Sequence, residues 1–213
     1  MFRWIILLCI TLTAMGAALI GVVRAQPLDE SAVRAVFDAP PDCPAPCWQG
    51  IRVGMTSADE AYSLLFAHDW ITDLYRDDQR IVWRWSGAQP TLIDASSYGL
   101  ISVERGTVIQ LRVQTHARFG DVWITYAAPN DALLVRPLRA AYQIVRYDSL
   151  EAQVISTLDC PAYPRDLWYS TTSLGLGELW ITEELNAAAF DVYEDAGWWR
   201  YLHVCRPPRA RGR

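Results

Sequence analysis

The chain of 213 residues contains no lysine. That absence removes whole mechanisms: there is no P-loop lysine, no Schiff-base amine and no Ser–Lys dyad. Histidine is scarce as well, with only His68, His116 and His203. None of the three stands in a nucleophile or metal motif, and G-x-S-x-G, H-E-x-x-H and calcium-loop patterns are missing. His68 falls at an expected helix end, where the helix dipole favours a cation. Glu183-Glu184 and Glu194-Asp195 are adjacent acids. Glycosidases need two carboxyls facing each other across a cleft, whereas neighbours on a strand point to opposite faces. Gly175-x-Gly177 lacks a following helix and reads as a turn before a strand. No catalytic residue, metal ligand or cofactor is expected.

Positive charge is also short where it matters. Residues 26–205 carry 13 arginines against all 24 acids, a net charge of −11. Such a surface repels phosphate backbones, so no nucleic-acid partner is expected.

The N-terminus is different. Trp4 to Val23 is an uncharged, mostly apolar run of 20 residues behind Arg3. Such a run can span a bilayer or form the core of an export signal. Val23-Arg24-Ala25 fits a cleavage site that would leave Gln26 as the new N-terminus. Either way the body is expected outside the cytoplasm, secreted or anchored by one N-terminal transmembrane segment. Cys9 reads as an apolar residue of that segment.

Four further cysteines, Cys43, Cys47, Cys160 and Cys205, suit disulfides in an exported body. Four cysteines allow three pairings. The preferred one is Cys43–Cys47, a loop pre-bent by Pro44 and Pro46, with Cys160–Cys205. A four-thiolate zinc site is the competing reading, although the last two cysteines are not closely spaced. DCPAPCWQG has the wrong spacer for haem attachment or thioredoxin chemistry.

The organisation expected is a signal or anchor at 1–25, a Pro-rich tether at 26–47 with a possible helix at Leu28–Phe37, a first unit at 48–116, a second at 117–205 and an Arg/Pro tail at 206–213. In the first unit, Ser57 or Thr56 caps a helix, with Glu60 at capping-box distance. A hairpin follows about Asp77-Asp78-Gln79, with Ile81, Trp83 and Trp85 on one face. Another turns at Arg105-Gly106, with Ile109, Leu111 and Val113 inward. A second helix is expected through ARFGDVWITYAAPND. Strands are then expected at YQIVRY, LEAQVIST, LWYST and GELWITEE, with a last one at WWRYLHVC. The fold class is α+β: helices packed on antiparallel sheets, in two tandem helix-then-strands repeats. Glu60-Ala61-Tyr62 matches Asp121-Val122-Trp123, and Gly106-Thr107-Val108-Ile109 matches Gly177-Glu178-Leu179-Trp180.

Gly54-Met55-Thr56, with Glu60-Ala61 and Leu64-Leu65 behind it, resembles the helix motif of small bacterial envelope lipoproteins of the BamE/SmpA type. Gly120-Asp121-Val122 and Tyr126-Ala127-Ala128-Pro129-Asn130 are similar to the other end of that motif. Each match covers about 15 residues. The resemblance implies helices on a three- or four-stranded antiparallel sheet, in tandem as in the β-lactamase-inhibitor-protein fold, and a binding or assembly role. Ala67-His68-Asp69 departs from the family's glycine and proline, and the lipid-bearing cysteine is absent.

The ten tryptophans are the unusual feature. Trp83, Trp85, Trp198 and Trp199 are the candidates for stacking on sugar rings. The alternative is that they fill the core of a thin domain. The leading expectation is a non-catalytic extracytoplasmic module that binds a protein or envelope component, and the second is a secreted carbohydrate-binding module.

Overall fold

The computed structural model describes residues 4, 10–18, 30–135, 140–159, 164–177 and 190–191. The chain divides into two compact units, Met1–Glu30 and Ser31–Arg213. In the first, residues 10–18 are helical, and Ile10, Leu12 and Met15 are exposed. No helix among the described residues is long and apolar enough to cross a membrane.

Among the described residues, the second unit is built on one nine-stranded antiparallel sheet. Its chain order is α1 (Glu30–Phe37), the β1–β2 hairpin (Cys47–Trp48, Ile51–Arg52) and α2 (Ala58–Phe66). Strands β3 (Ile71–Arg76), β4 (Arg80–Trp85), β5 (Gly99–Glu104) and β6 (Thr107–Arg118) follow as a meander. Helix α3 (Phe119–Tyr126) leads to β7 (Asp131–Val135), β8 (Ala140–Tyr147) and β9 (Ala152–Asp159). The chain continues through α4 (Pro164–Tyr169), β10 (Thr171–Gly177) and β11 (Phe190–Asp191). In space the strands run β11-β7-β8-β9-β10-β6-β5-β4-β3. The two meanders are joined where β10 pairs with β6, from Thr171↔Arg118 to Gly177↔Gln110.

The main core lies on one face of this sheet, and β8, β9 and β10 also bury Ile144, Ile155 and Ser173 on the opposite face. Alternation along β4 buries Ile81, Trp83 and Trp85, as expected from the sequence. Ile101, Leu111, Val113, Val145, Val154 and Leu174 continue the same layer. Short pieces cover it. Helix α2 contributes Ala58, Ala61 and Leu65, and the β1–β2 hairpin contributes Trp48 and Ile51. Ser57 caps α2 by accepting the Glu60 N–H at 3.2 Å, the expected capping geometry.

Several expectations are corrected. The molecule is β-rich rather than α+β with helices packed on sheets. The described helices of the second unit run six to nine residues, whereas β6 alone runs 12. Helices of about two turns each cover little of so wide a sheet, and hairpin and loop residues fill much of the core beside them. Ile109 is not inward. A register shift between Ser102 and Val103 places Val108 opposite Val103, so Val108, Leu111 and Val113 face the core. LWYST is not a strand: α4 runs to Tyr169 and β10 starts at Thr171. Gly175 and Gly177 belong to β10 rather than to a turn before a strand. Gly106 precedes β6 and Gly177 is the last residue of β10; the rest of the second matched quartet, 178–180, lies outside the described residues.

Within the 26–47 segment, α1 lies where a helix is expected. It buries Val33, Val36 and Phe37 in the core. The expected boundary at 116/117 falls inside β6. GELWITEE beyond Gly177, WWRYLHVC and the 206–213 tail lie outside the described residues.

Candidate functional site

Cys43 and Cys47 form a disulfide, with Cα atoms 5.9 Å apart. The bond consumes two of the four thiolates that a zinc site would need. Cys160 and Cys205 lie outside the described residues. Directly after the bond, Gln49 and Gly50 take φ values of 50° and 82° and turn β1 into β2. Two positive φ values mark the type I′ hairpin turn, which commonly carries glycine second. This places Trp48 in the core, stacked 5.9 Å from Trp83 and edge-on to Trp85 at 6.2 Å.

Trp83 is 0% exposed and Trp85 7%. Neither ring presents a face on which a sugar could stack, so the two residues act as core. Trp198 and Trp199 lie outside the described residues, as do His203, Glu183-Glu184 and Glu194-Asp195.

The described histidines are not poised for catalysis. His116 Nε2 lies 3.7 Å from Asp94 Oδ1, and Ser96 Oγ donates to that same oxygen at 2.6 Å. The carboxylate sits between serine and histidine, so the imidazole cannot take the hydroxyl proton. The Ser96 hydroxyl chiefly, with its N–H and His116, holds Asp94 below the usual carboxylate range, against a partial burial that raises it. His68 Nδ1 accepts the Trp70 N–H at 3.3 Å, and Nε2 faces Gln49 Oε1 at 3.3 Å. This arrangement suits the neutral ring. Burial lowers the His68 pKa and outweighs the raising effect of Asp69. Desolvation therefore wins over the helix-end cation expected from the sequence. Among the described residues no group of three or more His, Cys, Asp or Glu is placed to hold a metal.

A second polar cluster is structural. Tyr126 Oη donates to Asp38 Oδ1 at 2.7 Å, and Arg34 lies over the Tyr126 ring and donates to the Thr125 carbonyl. Burial first, and Asp38 second, raise the phenol well above its ordinary range. The cluster fastens α1 to α3.

The feature left over is at the outer edge of the sheet. β3 is the terminal strand, paired only with β4 among the described strands. An edge strand directs part of its backbone N–H and C=O groups outward. Beside it the C-terminal half of α2 and β3 enclose a cleft of about 220 Å³, lined by Tyr62, Phe66, Ile71, Thr72, Asp73 and Leu74. Ligand pockets usually exceed about 300 Å³, so this cleft suits one bulky side chain rather than a small molecule. Its wall is ordered. Phe66 stacks on Tyr62 at 6.4 Å, and Arg76 lies 6.0 Å from the Tyr62 ring while donating to Asp59 at 2.6 Å. Phe66 is nonetheless 76% exposed.

The sequence did not point here. The helical pattern of α2 identifies its buried face, on which Ala58, Ala61 and Leu65 lie. That Phe66 borders an open strand depends on the strand order, which only the assembled sheet reveals.

No family model matches the chain, and neither the curated proteins nor the solved structures contain a significant match to it.

Proposed function

We propose that this chain is a non-catalytic, extracytoplasmic protein-binding module, and that it takes an extended segment of its partner along the outer edge of β3. The observation that carries the reading is an edge strand whose outer side has no partner among the described strands, bordered by an aromatic cleft the size of one side chain. Strand addition uses these two parts: main-chain hydrogen bonds supply affinity and a side-chain pocket supplies specificity. The resemblance of the Gly54-Met55-Thr56 helix to BamE/SmpA-type envelope lipoproteins agrees with binding rather than catalysis. The apolar N-terminal run agrees with an envelope or secreted location, with the partner a protein or other envelope component.

Photo-crosslinking in intact cells tests it. Thr72 is exposed on β3, and Ser96 is exposed in the 86–98 loop, where Asp94 lies beside His116 of β6. A photoreactive residue at Thr72 should trap a discrete protein that the same residue at Ser96 does not. Equal capture at both positions, or none at Thr72, would defeat the proposal.

A further inference from the structure

The charge around the β3 edge selects the partner. From Ala58 to Arg80 the chain carries six carboxylates and two arginines, a net charge of −4. Both arginines are already engaged: Arg76 pairs with Asp59, and Arg80 with Asp77. Glu60, Asp69, Asp73 and Asp78 are exposed and have no ion-pair partner among the described residues. Asp73 itself lines the cleft beside Phe66 and Leu74.

Resting on the reading above, we infer that the edge accepts a basic extended peptide: a strand with one large apolar side chain for the cleft and arginines or lysines flanking it. The apolar side chain would sit among Tyr62, Phe66, Ile71 and Leu74. The flanking cations would meet Asp69 and Asp73 towards one end and Asp78 towards the other. A second copy of this chain is a poor occupant. Edge-to-edge pairing would bring a region of net charge −4 against its own copy, and like charges on an edge are a known barrier to self-addition.

The test uses the purified full chain in detergent and three blocked nine-residue synthetic peptides, read by fluorescence anisotropy. The first alternates arginine and valine about a central phenylalanine. The second replaces every arginine with glutamate. The third is the first with alternate backbone amides N-methylated, which removes strand hydrogen bonds. The inference expects binding of the first alone, weakened by added salt. It also expects Asp73→Arg to weaken that binding about tenfold, in line with reversing a close charge contact, while the melting temperature stays the same. Asp73 is exposed, so the variant should fold. Equal binding of the arginine and glutamate peptides would overturn the charge assignment and leave the strand-addition reading standing. So would failure of all three peptides while Thr72 still crosslinks in cells. Equal binding of the N-methylated peptide would overturn strand addition itself.

Discussion

At the residue scale, Gly99 shows how tightly the tryptophan core is built. A Cβ at this position would lie 1.9 Å from Cε2 of Trp83. The indole is fully buried and flanked by Trp48 and Trp85, so it has no room to retreat. Gly99→Ala should therefore cost about 2–3 kcal/mol, near the upper end of overpacking penalties. Urea denaturation measures it. Trp83→Phe should be destabilising alone, yet the double variant should lose less than the sum of the two single losses, because the clash is with the removed ring. Strict additivity would mean that Gly99 matters for another reason. The alternation of Ile81, Trp83 and Trp85 made this face legible in the sequence. The glycine opposite Trp83 was not legible, because its importance follows from the Trp83↔Gly99 pairing of β4 with β5.

At the element scale, short-range signals are legible in the sequence and signals that depend on neighbours are not. The α2 cap, the Asp77–Gln79 turn and the Cys43–Cys47 bond are each specified within a few residues. Asp77, for example, accepts the N–H groups of both Gln79 and Arg80 at 2.9 Å, so the turn carries its own fastening. The side-chain phase of β6 is set across strands, by the shift against β5, and no pattern within β6 announces it. The exposed lining of the β3 cleft was missed for the same kind of reason. The disulfide makes a testable contribution to its element. It closes a loop of four residues' separation between α1 and β1. Loop-entropy arguments give about 2 kcal/mol for so short a loop. The Cys43→Ser/Cys47→Ser variant should lose about that much in urea without losing the native fold. An unchanged midpoint would show that the prolines alone hold the bend.

At the scale of the whole molecule, the sheet does not divide where the sequence suggested. β6 crosses the 116/117 boundary and is bonded on one side to β5 and on the other to β10. Buried polar contacts reinforce the junction: Thr115 Oγ1 donates to the Thr172 carbonyl at 2.7 Å, and Thr172 Oγ1 donates to the Ala117 carbonyl at 3.0 Å. A fragment of residues 48–118 would expose one edge of β6, lose Leu174 and Leu176 from its core, and lose helix α1. It should show no cooperative thermal transition by circular dichroism, whereas residues 31–213 should melt as one unit. A cooperative melt of the fragment would restore the two-unit description. Sequence periodicity could not supply this, since a single strand shared between two meanders has the same local pattern as a strand belonging to one.

Trp48, Trp83 and Trp85 lie within 6.2 Å of one another in stacked and edge-on pairs. One comes from the segment just after the disulfide and two from the heart of the first meander. Three indoles held that closely at fixed angles share their electronic excitations. The packed chain therefore carries a near-ultraviolet signature that depends on the fixed packing of all three rings. That signal reports directly on whether the cystine-closed N-terminal collar is seated on the sheet.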